Sequence, residues 1–228
     1  MSAPRKIPIT IAFDVAEDEV YFTRSTLKAD PDAQDLLVFT DGWTGLVEQA
    51  RTKERLAREA LADADAARII ANDRLDRVCE RFGDDLFRAV DKNRSAARWT
   101  QFFNVAVSRF IRQALRVQVE RVGGWLKSND PVLEQHRAGL TTWSKAAGDA
   151  LQQTAAVATM RGAARMAREQ LAEDLTRERD GLHDALSARA RERGLPRDWP
   201  DLFFRKAPRA ASSAGEGQDD APEGDDAG

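Results

Sequence analysis

A mostly α-helical, elongated protein is predicted by three features: where proline is missing, how apolar residues recur, and where helix-opening pairs stand. All eight prolines of the 228-residue chain fall outside residues 32–130 and 132–195. Proline costs about 3 kcal/mol in a helix interior but is accepted at the first helical position. Asp30-Pro31 and Asp130-Pro131 therefore read as capping acids followed by first-turn prolines. Between them, and again after Pro131, apolar residues recur at three- and four-residue steps, the period of one helix face.

The N-terminus reads differently. Ile7, Ile9, Ile11, Phe13 and Val15 alternate with Pro8, Thr10, Ala12 and Asp14, the period of a half-buried strand. Glu17-Asp18-Glu19 would turn the chain into Val20-Tyr21-Phe22-Thr23, so 1–30 is expected to hold a strand or small hairpin. A lone hairpin is marginal in water and would have to pack on the helices or on another copy. Pro31 opens a short helix through Val38, and Asp41-Gly42 punctuates before Trp43.

From Trp43 to about Lys92 runs a first long helix, with Leu46, Val47, Ala50, Ala57, Ala64, Ala71, Leu75, Val78, Phe82 and Leu86 on one face. Gly83, followed by Asp84-Asp85, is placed to cap or kink it. A second helix is expected over 95–122, ended or bent by Gly123-Gly124. The third segment starts at Pro131, carries Leu133, Leu140, Trp143, Leu151, Leu171, Leu175, Leu182 and Leu186, and stops at Gly194-Leu195-Pro196. Unbroken, it would reach roughly 90 Å, with Gly148, Gly162 and Gly181 as places to bend.

In both long helices the middles, about 57–71 and 146–168, are rich in small residues. Antiparallel pairing, with a helical head over about 84–130 as the connection, would set these middles against each other. Backbones near 8 Å apart would compensate for the missing side-chain volume. The expected organisation is thus an N-terminal strand segment (1–30), an elongated helical bundle (31–206) and a disordered acidic tail (207–228).

Charge divides along the same lines. The chain carries 35 Lys and Arg against 38 Asp and Glu, a net charge of −3. From Ala211 onward, however, Glu216, Asp219, Asp220, Glu223, Asp225 and Asp226 stand without a base. The rest is mildly basic, so anionic partners are not excluded by the overall sign. Cys79 is alone, which rules out an internal disulfide. With no signal-peptide pattern and no apolar run of about 18 residues, a cytoplasmic location is expected.

The sharpest charged feature lies on the helix expected over 95–122. Arg94 on its approach and Arg98, Arg109, Arg112 and Arg116 within it would fall within about 60° of one another at 100° per residue, opposite Trp99, Phe103, Val107 and Phe110. Such a stripe is either neutralised within the fold, by acids such as Asp63, Asp65, Glu169 and Asp174, or binds an anionic partner. Nucleic acid is the leading candidate for such a partner, ahead of a membrane surface or an acidic protein. Trp199, Phe203 and Phe204, just beyond the last helix, form either a lid over an open bundle end or a docking segment.

Catalytic chemistry finds no foothold. His136 and His183 follow Leu133 and Asp180 by three residues, so the Glu-x-x-His pairs of a di-iron bundle are absent. Asp14, Glu17, Asp18 and Glu19 lack the spacing of a calcium loop. Cys79, beside Val78 and Phe82, reads as a core thiol, and no glycine-rich loop follows a strand. No metal, cofactor or small-molecule substrate is indicated. The expected role is non-enzymatic, a structural scaffold or protein-interaction module that associates with itself or a protein partner. Nucleic-acid or polyanion binding through the arginine stripe is the alternative.

Overall fold

The computed structural model describes residues 6–205. Six α-helices account for most of them: α1 (Phe13–Ala29), α2 (Trp43–Ala89), α3 (Ala97–Phe102), α4 (Val107–Phe110), α5 (Leu115–Trp125) and α6 (Pro131–Arg193). Short 3₁₀ segments occupy Gln34–Thr40 and Trp199–Phe203. Among the described residues there is no strand, and no helix is long and apolar enough to cross a membrane. The acidic segment 207–228 lies outside the described residues.

The long helices start and stop where the sequence places their signals. Asp130 caps α6: its Oδ1 accepts from the backbone N–H of Val132 at 2.8 Å and of Leu133 at 3.3 Å. At the far end Gly194 takes φ +66°, and the Leu195 N–H closes onto the Ala190 carbonyl at 2.9 Å. This left-handed glycine stop satisfies a carbonyl the helix leaves open. Between these ends α6 is a single helix, and Gly148, Gly162 and Gly181 do not interrupt it.

Several expectations are corrected. Residues 7–24 are not a strand or hairpin. The buried positions Ala16, Val20, Thr23 and Leu27 follow helical spacing on α1, while Ile9 and Val15, which the alternating pattern would bury, stay about half exposed. A lone strand pair has no third partner for its backbone groups, whereas α1 satisfies its own. The short helix expected from Pro31 is instead the 3₁₀ segment Gln34–Thr40.

The single helix over 95–122 is likewise replaced, by α3, α4 and α5. Ala96, Ala106 and Ala114 take extended conformations ahead of each piece, and Phe103 is extended after α3. Neighbouring residues on a helix point about 100° apart, so a continuous helix could not aim both Phe102 and Phe103 at one place. The break does so: their rings lie 5.1 and 5.7 Å from that of Phe82. Gln118, fully buried, bridges the second break by donating to the Ile111 and Gln113 carbonyls at 3.1 Å each. Gly123 and Gly124 lie inside α5 rather than at its end.

The described chain forms two compact units. One contains residues 6–43 with 174–205. There Trp199, Phe203 and Phe204 are buried, and the Trp199 Nε1–H donates to Asp30 Oδ2 at 2.8 Å. Arg179 is buried too, pairing with Glu19 at 3.1 Å and lying 5.2 Å above the Phe204 ring. Arg189 holds Asp35, and that guanidinium is the main reason the Asp35 carboxyl lies below its usual range.

The other unit, Thr44–Glu173, is built on α2 and α6 with α3–α5 packed near one end. Its core gathers Leu75, Cys79, Phe82, Leu86, Trp99, Phe102, Phe103, Phe110, Trp125, Leu133 and Leu140. Gly83 does not cap α2, which continues to Ala89. It sits within α2, where a Cβ would meet a Val107 methyl at 2.5 Å, so its missing side chain admits α4.

Candidate functional site: an alanine-seamed helix pair with an arginine-lined cleft

Away from the aromatic core, α2 and α6 meet through small residues. Between Ala50 and Ala71 the buried positions on α2 are Ala50, Ala57, Ala64 and Ala71; between Ala150 and Leu171 on α6 they are Ala150, Val157, Ala164 and Leu171. Each set repeats every seventh residue, the repeat by which two helices keep one seam in contact. Contacts across the seam run in opposite directions along the chain. Asp85 meets His136 at 2.9 Å, Val78 lies against Gly139, and Glu54 pairs with Arg168. Ala57 and Ala164 line the same cleft. Steps of seven from that pair set Ala64 opposite Val157, Ala71 opposite Ala150 and Ala50 opposite Leu171.

A heptad seam ordinarily buries two residues per seven. Here the second row is polar or only half-buried: Glu54, Leu61 and Arg68 on α2, with Thr154, Arg161 and Arg168 on α6. That row opens into a cleft of about 310 Å³ lined by Glu54, Ala57, Arg58, Leu61, Arg161, Ala164, Arg165 and Arg168. Glu54 is shared by Arg58 and Arg168. Burial pushes its carboxyl up, but hydrogen bonds from Arg168 and Arg58 outweigh this and hold it below its usual range. Arg165 turns to Glu169 at 3.3 Å. Arg161 is exposed and makes no ion pair among the described residues.

On the other flank of the seam the helix pair carries apolar residues around the polar Lys53, Asp63 and Gln153, which share its heptad positions. Heptad geometry sets Leu56, Ala60, Ala67 and Ile70 of α2 beside Ala156, Met160, Ala163 and Ala167 of α6. Leu56, Ile70 and Met160 are 47%, 56% and 39% exposed. Isolated exposed apolar residues are ordinary, but several on one side of a helix pair mark a candidate contact surface.

The sequence-derived candidates fall elsewhere. Arg94, Arg98, Arg109, Arg112 and Arg116 do not share a helix face, because they lie before α3, on α3, on α4, between α4 and α5, and on α5. Arg98 is committed to Asp130 through Nε at 2.6 Å and Nη2 at 2.9 Å. Arg94 lies 5.0 Å from the Phe87 ring centroid. Arg109, Arg112 and Arg116 are exposed and make no ion pair among the described residues. Of the four acids expected to neutralise them, three pair within their own helices: Asp65 with Arg68, Glu169 with Arg165, and Asp174 with Arg177. Cys79 is fully buried, and burial pushes its thiol well above the ordinary range, with the charges of Asp76 and Glu80 adding to the effect.

The cleft itself escaped the sequence reading. Its bases come from Arg51–Arg58, where Glu54 is the one acid, and from Arg161–Arg168, which has none. The two stretches are far apart in the chain and become one feature only once the helix register is known. No protein-family model matches the chain, and neither a curated protein nor a solved structure matches it.

Proposed function

We propose that this protein acts by association rather than catalysis, and that the apolar flank of the α2–α6 pair docks on a second copy of the same chain. The observation that carries this reading is the exposed set Leu56, Ile70 and Met160 beside a seam that buries one small residue per heptad. A two-helix layer with a single row of mostly small residues buries little apolar surface. A second such layer laid on it would complete an antiparallel four-helix coiled-coil section.

The area is adequate. From Ala50 to Ala71 the helix runs about 33 Å, and two helices about 8–10 Å apart present a face some 18 Å wide. The product, about 600 Å² per copy, reaches the lower end of stable interfaces near 1,200 Å² in total. An alanine-rich face is also complementary to itself, which suits a two-fold pairing.

Sedimentation equilibrium tests the proposal. The chain of 25.3 kDa is expected at twice its mass at micromolar concentration. The double substitution Ile70→Glu, Met160→Glu should return it to the single-chain mass with its helical circular dichroism intact. A wild-type protein at single-chain mass at tens of micromolar would overturn the reading.

A second reading, polyanion binding, is supported by Arg109, Arg112 and Arg116, which are exposed and without ion pairs among the described residues. It predicts nucleic-acid binding that weakens steeply with salt and is lost on Arg112→Glu, Arg116→Glu. Binding left unchanged by that pair of substitutions would refute it.

A further inference from the structure

We propose that the arginine-lined cleft is a binding site for a small amphiphilic anion: a phosphate monoester or carboxylate carried on an apolar chain or ring. Four guanidiniums, from Arg58, Arg161, Arg165 and Arg168, line it with the single carboxylate of Glu54. That carboxylate is already divided between Arg58 and Arg168, which leaves the cleft positive. Arg161 has no ion pair among the described residues, so its donors are available for a bidentate grip on a tetrahedral or planar oxyanion. Beneath the guanidiniums the surface is apolar, formed by the seam alanines and Leu61. A bare inorganic ion would use the arginines and leave this apolar surface wet.

Size and surroundings favour a small ligand over a polynucleotide. The volume, about 310 Å³, sits at the small end of ligand pockets. Arg161 to Arg168 spans only about 10 Å of helix. Beyond the cleft stand Asp65 on α2 and Glu169 on α6, each paired with an arginine of its own helix, so the run of open bases does not extend along the pair. A strand long enough to contact several phosphates would run onto those carboxylates. The cleft and the apolar flank lie on opposite sides of the seam, so this inference does not rest on self-association.

Isothermal titration of the full chain at low salt provides the test, with soluble octyl phosphate as probe. One site per chain is expected, with inorganic phosphate and octanol each at least tenfold weaker. Arg161→Glu should weaken octyl phosphate at least tenfold, and Arg161→Lys by less. Because Arg161 holds no ion-pair partner among the described residues, neither variant should alter the helical circular dichroism. Arg112→Glu, an equally exposed arginine elsewhere, should leave binding unchanged. No binding of octyl phosphate would overturn the proposal, as would equal affinity for inorganic phosphate or an unchanged affinity in Arg161→Glu. Binding to vesicles containing phosphatidic acid, without binding to soluble octyl phosphate, would overturn it in favour of a membrane surface. A failure of the Ile70→Glu, Met160→Glu variant to dissociate would bear on association alone.

Discussion

Replacing Gly83 by alanine tests the packing of the aromatic core, because two effects of known sign oppose each other there. In an open helix position the change stabilises, by about 0.5–1 kcal/mol, through helix propensity and a less flexible unfolded chain. At Gly83 the new Cβ meets the Val107 Cγ2 at 2.5 Å, with Cγ1 at 3.3 Å and the Phe103 ring at 3.5 Å. Ordinary contact needs about 3.5–4 Å, so α4 would have to retreat by roughly 1 Å. Valine is stiff about χ1 and cannot swing away freely. Overpacking of this kind costs about 1–3 kcal/mol, leaving a net loss of about 0–2.5 kcal/mol. Gly162→Ala supplies the reference, since a Cβ there meets nothing within 4 Å. Urea unfolding followed by tryptophan fluorescence and circular dichroism should show Gly162→Ala raising stability and Gly83→Ala failing to do so. If Gly83→Ala stabilised as much as Gly162→Ala, the close approach of α4 to α2 would be refuted.

Other consequences follow from single contacts. Arg98→Ala removes the two-pronged bond to Asp130 and should cost about 1–2 kcal/mol in urea unfolding. The Arg98 bond, aided by the Val132 and Leu133 amides, holds the Asp130 carboxyl below its usual range despite partial burial. A depressed folded value stabilises the fold above the unfolded pKa, and that stability is lost as pH falls through the folded one. Stability should therefore decline below about pH 4, less steeply in Arg98→Ala. Cys79, fully buried with its thiol shifted upward, should resist a thiol-specific disulfide reagent in native buffer and react at once in denaturant. Fast labelling of the native protein would contradict its place in the core. Trp199→Phe keeps most of the ring but strands Asp30 Oδ2, and should cost about 1–2 kcal/mol by thermal unfolding. An unchanged melting temperature would mean that the contact contributes nothing.

The long helices were legible because their signals are local. Asp130-Pro131 and Gly194-Pro196 mark the ends of α6 in the sequence, and the absence of proline between them says the rest. The N-terminal segment misled because Ile7, Ile9 and Ile11 alternate, although the buried set that matters begins at Ala16 and steps by four, three and four. Periodicity over five residues does not discriminate when the next dozen can form a helix. The breaks at Ala106 and Ala114 were illegible for another reason. Alanine is a good helix former, and no glycine or proline marks either place. What turns the chain there is the demand of Phe102, Phe103, Phe110 and Trp125 to meet around Phe82, a tertiary effect with no local signature. The arginine stripe failed with that helix. The cleft was hidden in the register, because Arg58 and Arg161 become neighbours only when Ala57 is set against Ala164.

A single spin label on each chain tests the account most directly. With Cys79 buried, Glu59→Cys offers one reactive thiol on the exposed side of the α2–α6 pair. Dipolar spectroscopy of this singly labelled protein should resolve a distance between spins, because two chains associate along the apolar flank, and Ile70→Glu, Met160→Glu should abolish it. A featureless single-spin decay from the otherwise unaltered protein at tens of micromolar would contradict association through this face.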